Sequence, residues 1–289
     1  MTSTLGRILT TRVPPQAYFV NSAVFHYLGP AFAVLLFARV DVLGVAWLRI
    51  AAAAAVFLLW RRPLRVFRES SWPQRRLLLA MGVVLGAMNA CFYLAIDRLP
   101  LGTVGAIEFL GPILLAALGA RTPRNALALL GAIGGVWLLT EVRLEGEPLG
   151  YVFAFVNAAG FMLYTVIGHR LAADGGSSGI DRLGAAMVIA LIAVSPIGLA
   201  EAAATLTQPL LLLVGIAVGI CSSVIPYVSD QLAMARMPRA TFSLMLALLP
   251  ATATAIGALV LRQIPSVTEL AGVALVITAV AVPRAPEAA

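Results

Sequence analysis

Lysine is absent from this 289-residue chain, and only 11% of its residues carry charge of either sign. A soluble domain usually has about a quarter charged residues. That shortage excludes hiding the apolar 61% of the chain inside a water-facing globule. With a mean hydropathy of +0.97, the surrounding solvent must be lipid. Cysteine is scarce too. Cys91 and Cys221 fall in apolar stretches of opposite halves of the chain, which excludes a disulfide framework, and they lack the charged neighbours that activate a thiol. Histidine occurs twice. No P-loop, His-Glu-x-x-His or Cys-x-x-Cys pattern is present, so ATP hydrolysis, metal catalysis and a bound cofactor have no support in the sequence. The stretch Asp174-Gly175-Gly176-Ser177-Ser178-Gly179 contains G-x-S-x-G without the flanking strand or the His and Asp partners of a hydrolase, and reads as a loop linker.

What is present is apolar sequence in membrane-sized pieces. Runs suited to crossing a bilayer lie near 17–38, 42–60, 77–95, 101–119, 125–140, 149–168, 183–200, 208–228, 241–261 and 267–282. The first is too long for a signal-peptide core and lacks a small-residue cleavage site, so it is kept as a helix. The expected class is an all-α polytopic membrane protein of ten transmembrane helices. The net charge of +7 and pI near 10.2 would suggest nucleic acid as the partner of a soluble protein. Here the arginines sit in short loops and report orientation instead. With the N-terminus inside, fifteen fall on the cytoplasmic side and four outside (Arg39, Arg98, Arg143 and Arg262), with Arg49 inside the membrane. The expected location is the plasma or inner membrane with both termini cytoplasmic. No nucleic-acid partner is expected.

The chain also matches itself. At a shift of 138, Leu94–Gly119 aligns with Leu232–Gly257 without a gap, with identities at Arg98/Arg236, Pro100/Pro238, Thr103/Thr241, Pro112/Pro250 and Gly119/Gly257 among others. At a shift of 136, Phe19-Val20-Asn21 matches Phe155-Val156-Asn157. Both echoes pair one helix with the fifth one after it, and because five is odd the paired helices run in opposite directions. This predicts two inverted repeats, a body typical of secondary transporters. The expected division is a tail at 1–16, a first half at 17–140, an external linker at 141–148, a second half at 149–282 and a tail at 283–289.

Particular residues narrow the family. The stretch Asn89-Ala90-Cys91-Phe92-Tyr93-Leu94-Ala95-Ile96-Asp97-Arg98-Leu99-Pro100-Leu101-Gly102, followed by Ala106-Ile107-Glu108-Phe109-Leu110-Gly111-Pro112, resembles the EamA type of the drug/metabolite transporter superfamily. Gly44-Val45-Ala46-Trp47-Leu48-Arg49 and Ser222-Ser223-Val224-Ile225-Pro226-Tyr227 extend the likeness, which is greatest to the threonine/homoserine exporter branch. The resemblance implies a ten-helix inverted repeat, efflux of amino acids or related metabolites, and no ATPase. It also implies carboxylates in the second half where this chain has Leu249 and Gln263. A membrane-embedded enzyme or a structural subunit without transport activity is the alternative.

Arg49 and Glu108 read as the intramembrane charges. Each stands seven residues into a helix entering from outside, roughly 10 Å deep, and equal depth makes them natural partners, since an unpaired charge in lipid costs at least ~2.5–3.5 kcal/mol. Glu108 is expected to meet a substrate ammonium or a proton. Pro30, Pro112 and Pro226 free the carbonyls of His26, Glu108 and Ser222, which marks these turns as cavity lining or as packing kinks. His26 is placed to relay protons or to sit as a satisfied core residue. Asn21 and Asn157, matched by the repeat, are candidate polar linings, and Asn89, Tyr93, Tyr164 and Tyr227 are weaker ones. Gly82 with Gly86 and Gly215 with Gly219 are read as close-packing positions. Gly131, Gly134 and Gly135 suit either the bundle interior or the face of a homodimer. The expected partners are a small-molecule substrate and the lipid bilayer.

Overall fold

The computed structural model describes residues 13–111, then Pro123, Leu127, Leu130, Gly131, Ile133, Gly134, Gly135, Trp137 and Leu138, then 147–173, 176–237, Phe242, Met245, Leu246 and 248–281. Among these residues every regular element is helical. Pro15–Leu36 forms α1, Val42–Trp60 α2, Pro63–Glu69 α3, Trp72–Ile96 α4 and Leu101–Glu108 α5, which is broken by a turn at Phe109. Pro148–Ala172 forms α6, Gly176–Leu206 α7 and Pro209–Gly219 α8. A π-turn over Ile220–Val224 joins α8 to α9 (Ile225–Met234), and Leu248–Leu261 (α10) and Val267–Ala281 (α11) follow. Among the described residues six stretches are long and apolar enough to cross a bilayer: Pro15–Leu36, Val42–Trp60, Trp72–Ile96, Pro148–Ala172, Ser178–Ala203 and Pro209–Met234. The chain is a multi-pass membrane protein.

Local chemistry starts and stops these helices. Proline occupies the first turn of α1, α3, α4, α6 and α8, where its missing N–H takes nothing from the ladder. Asp41 accepts from the Leu43 N–H at the start of α2, and Ser71 with Gln74 forms a capping box on α4. Arg75 donates to the carbonyls of Phe67 and Arg68, so the short α3 is tied to α4. This interfacial helix interrupts the stretch between the second and third apolar runs and carries no apolar run of its own.

The helices are held by backbone contact at small residues, since lipid gives no hydrophobic drive between them. A Cβ on Gly44 of α2 would lie 2.9 Å from the Glu201 carbonyl of α7, and one on Gly198 of α7 would lie 2.7 Å from the Leu43 carbonyl. Gly82 and Gly86 of α4 rest on α7, and Gly215 and Gly219 of α8 rest on Leu48, Arg49 and Ala52 of α2. Gly131 and Gly135 face Ala279 and Val276 of α11, so these two glycines pack inside the bundle. The neighbours follow a pattern. α1 packs on α9 as α6 packs on α4; α2 packs on α8 as α7 packs on α4; α1 packs on α10 as α6 packs on α5. The remaining large contacts are those of α2 with α7 and of α5 with α10.

Two sequence expectations need correction. The Gly/Ser stretch read as a linker is the opening turn of α7 from Gly176 onward. Gly179 lies against Ala172 and the Gln231 side chain, and this tertiary packing sustains helix where local propensity favours a loop. The apolar run ending at 228 continues as helix to Met234. The hydropathy drop at Ser229-Asp230-Gln231 marks a buried polar face and not the end of a span, since all three are buried.

Candidate functional site

Among the described residues, two buried carboxylates share hydrogen-bond partners on α1 and α6. Glu108, the last residue of α5, is 1% exposed, and Asp230 of α9 is 5% exposed. Asp230 was outside the sequence-predicted span and was therefore missed. The available signals were its three-residue spacing from Tyr227, which sets both on one helix face, and the need for the span to continue toward Arg236. Ser22 and Tyr27 were missed with it, one turn before His26 and directly after it.

Each carboxylate is gripped by the same two helices. Glu108 accepts from Tyr27 Oη of α1 at 2.9 Å and from Asn157 Nδ2 of α6 at 3.0 Å. Asp230 accepts from Ser22 Oγ of α1 at 2.5 Å and from Tyr164 Oη of α6 at 2.9 Å. The order along the chain is crossed. On α1 the earlier donor serves Asp230 and the later one Glu108, whereas on α6 the earlier donor serves Glu108 and the later one Asp230. α1 and α6 are therefore antiparallel where they face the carboxylates.

His26 stands between these groups. Its Nε2 is 3.6 Å from Glu108 Oε2, and its ring meets Tyr27, Phe161, Phe92 and Tyr227 edge-on at centroid distances of 5.2 to 6.4 Å. Tyr227 is the hub of the cluster. It exchanges hydrogen bonds with Asn89, packs on Tyr164 at 5.3 Å, and lies within electrostatic reach of Arg49, Glu108 and Asp230. Asn157 Oδ1 is buried with no hydrogen-bond partner among the described residues, which leaves an acceptor beside Glu108.

Arg49 does not pair with Glu108, contrary to the expectation from depth. Its Nε donates to Ser223 Oγ at 2.7 Å, its Nη2 donates to the Ser222 carbonyl at 2.6 Å, and its guanidinium lies 5.3 Å from the Tyr93 ring centroid. The reason lies in Pro226. Without an N–H at that position the Ser222 carbonyl loses its helical donor, the chain widens into the π-turn Ile220–Val224, and Arg49 supplies the replacement.

The other expected residues divide. Asn157, Tyr164, Tyr227 and Asn89 join His26 and Glu108 in the cluster, and Tyr93 sits beneath Arg49. Asn21 lies on the exposed side of α1 and donates to Ser229 Oγ at 2.9 Å, outside the cluster. Pro30 is buried beside Gly29, whose α-carbon side abuts Ser222. Pro112 lies outside the described residues. Gln263, one of the departures from the family pattern, does structural work: its Oε1 accepts from the Leu101 N–H at 3.1 Å at the start of α5.

The EamA-like transporter family matches residues 148–283, the second of the two expected halves. Across most of the chain, the threonine/homoserine exporter RhtA of Escherichia coli strain K12 is 31% identical over 254 residues, covering 87% of this chain and 84% of that protein. The same exporter from Salmonella typhimurium strain SL1344 is 31% identical over 238 residues, covering 81% and 79%. The chain belongs to the EamA-like transporter family. As an EamA-like protein it is a transporter and not an enzyme. A solved crystal structure, 20% identical, superposes with a TM-score of 0.58 over 93% of this chain and 97% of its own, and shares the fold.

Proposed function

We propose that this EamA-like protein is a secondary-active exporter of small amino acids, threonine and homoserine in the first place, across the bacterial inner membrane. The observation that carries the reading is the charge balance of the buried cluster. Among the described residues of this cluster Glu108 and Asp230 bring two negative charges and Arg49 beside them one positive, while the buried Glu269 lies elsewhere, accepting from the Ser266 N–H at the start of α11. With His26 neutral, one negative charge is left over in a low-dielectric core, where it demands a cation. An amino-acid ammonium satisfies that demand and so does a proton, so the two compete for one place. Glu108 with the unfilled Oδ1 of Asn157 forms the ammonium subsite. Tyr27, Tyr164, Tyr227, Asn89 and His26 line it, and Arg49 with Tyr93 fixes the π-turn behind it.

Ten helices in two inverted halves, 17–140 and 149–282, provide the body, joined by 141–148 and flanked by tails at 1–16 and 283–289. The crossed donor order on α1 and α6 and the mirrored helix neighbours support inversion. The fifteen-to-four arginine distribution supports cytoplasmic termini. Two copies pairing through lipid-facing helices give a homodimer.

The test is uptake of radiolabelled threonine and homoserine into everted membrane vesicles under an imposed proton gradient. Gradient-dependent accumulation above that of vesicles lacking the protein is expected. Absence of accumulation for every amino acid in a broad panel would overturn the reading.

A further inference from the structure

The exporter reading needs one cation place, yet the described cluster holds two carboxylates at different depths. Ser22 and His26 are four residues apart on α1, about 6 Å along the axis and on one face. Asn157 and Tyr164 are seven apart on α6, about 10 Å and again on one face. Since Ser22 and Tyr164 hold Asp230 while Tyr27 and Asn157 hold Glu108, the carboxylates are stacked along the bundle axis. His26 falls between them, 3.6 Å from Glu108 and within electrostatic reach of Asp230. The titratable and charged groups around it are Tyr27 of α1, Glu108 of α5, Tyr164 of α6, Tyr227 and Asp230 of α9, and, beyond Tyr227, Arg49 of α2. The rings of Phe92 and Phe161 also meet the imidazole, at centroid distances of 6.4 and 5.9 Å.

We propose that Asp230 is a second proton-carrying site, and that His26 passes the proton between Asp230 and Glu108. The step balances as follows. The Asp230 carboxylic acid gives its proton to neutral imidazole, leaving a carboxylate and an imidazolium. The imidazolium then gives the proton on Nε2 to the Glu108 carboxylate and returns to neutral. One proton moves from one carboxyl group to the other, and the total charge of the cluster is unchanged throughout. Imidazole suits this task because its two nitrogens accept and donate separately. Under the proposed orientation Asp230 lies four residues from the cytoplasmic end of α9 and Glu108 seven residues from the outer end of α5. Each carboxylate therefore exchanges with a different side of the membrane, and the proton crosses the midplane on His26. Ser22 and Tyr164 are positioning residues that present Asp230 to it.

This inference rests on the exporter reading, and two measurements separate the fates of the two. In the first, infrared difference spectra of the purified protein follow protonated carboxyl groups as pH is raised from acid to alkaline. A titrating carboxyl band that disappears in Asp230→Asn, with a second band that disappears in Glu108→Gln, is expected. Spectra of Asp230→Asn identical to the wild type would overturn the proposal, whether or not any substrate is transported. In the second, reconstituted vesicles compare gradient-driven threonine accumulation with threonine counterflow, which needs no net proton movement. Asp230→Asn and His26→Gln are expected to weaken both, because both residues belong to the charged cluster, but to lower gradient-driven accumulation at least about tenfold further than counterflow, as loss of a proton-transfer group should. Equal losses in both assays would make Asp230 a substrate contact and overturn the relay, as would full gradient-driven accumulation by Asp230→Asn. Failure of the wild type to accumulate threonine sinks the exporter reading instead, and the infrared titration still decides on Asp230. Asp230→Glu, which restores the acid, is expected to recover the band and part of the coupling, and recovery with Asn-like folding excludes a purely structural loss.

Discussion

Asn89 and Tyr227 are hydrogen-bonded to each other in both directions, Nδ2 to Oη at 3.2 Å and Oη to Oδ1 at 3.3 Å, and they stand 138 positions apart. That separation is the shift at which Leu94–Gly119 aligns with Leu232–Gly257. In the proposed two-half body, equivalent positions touch only on the axis that relates the halves. The pair would thus pin α4 to α9 at the centre, directly beside the buried carboxylates. Removing the phenol oxygen tests the pin. Tyr227→Phe leaves the Asn89 amide short of a buried partner, and is expected to destabilise the protein in detergent by ~1–3 kcal/mol. Asn89→Leu combined with Tyr227→Phe removes both ends, and the loss should be smaller than the sum of the single losses. Thermal unfolding of the four proteins in the cycle reads this; strict additivity would show that the two side chains do not act together.

Arg49 gives a sharper contrast, because depth alone pointed to the wrong partner. Its bonds run to Ser223 and to the Ser222 carbonyl. A double-mutant cycle of Arg49→Met with Ser223→Ala should show coupling of ~1–2 kcal/mol, as expected for a buried charge-assisted bond. The same cycle of Arg49→Met with Glu108→Gln should couple more weakly, because these two side chains make no direct bond and meet only through Tyr227. Coupling in the reverse order would restore the direct ion pair.

These residues show where the sequence was legible. Val42–Trp60 was read to the residue, because an apolar run interrupted only by Arg49 between Asp41 and Arg61 leaves no other boundary. Pro226 was read as freeing the Ser222 carbonyl, and that carbonyl is the one Arg49 fills. Asp230 was invisible to hydropathy for a physical reason. Hydropathy scores a residue by its own transfer cost, whereas its burial is made tolerable by Ser22 and Tyr164, which lie 208 and 66 positions away. Arg49 failed differently: distance along a helix gives depth, but the side of the bundle it faces depends on how every other helix packs. The family resemblance gave the class of protein without either detail.

Gly29 makes the junction between α1 and the π-turn. A Cβ there would sit 2.7 Å from the Ser222 α-carbon, and backbone atoms cannot step aside as a flexible side chain does. Gly29→Ala is expected to cost ~1–3 kcal/mol through overpacking and to disturb the Arg49 anchor with it. Gly134 is the matched control, because a Cβ there meets only Leu275 Cδ2 at an ordinary 3.6 Å. Gly134→Ala should be neutral or stabilising by ~0.5–1 kcal/mol, the usual helical gain over glycine. Unfolding temperatures of the two variants, measured side by side, check the difference; equal stability would mean that α1 does not press on the π-turn.

Competition between ammonium and proton fixes the sign of a pH effect on binding. Glu108 and Asp230 attract the substrate ammonium only while the cluster keeps its excess negative charge, and a proton on either one cancels it. Threonine binding to the purified protein should therefore weaken as pH falls, with one proton displaced for each threonine bound when both sites start from the singly protonated cluster. Calorimetry in two buffers of different ionisation enthalpy counts that proton directly. Glu108→Gln removes the charge that the ammonium meets, so its binding should be weaker at every pH and should change less across the range. A Glu108→Gln protein that binds threonine as tightly as the wild type, with the same pH slope, would place the ammonium elsewhere in the bundle.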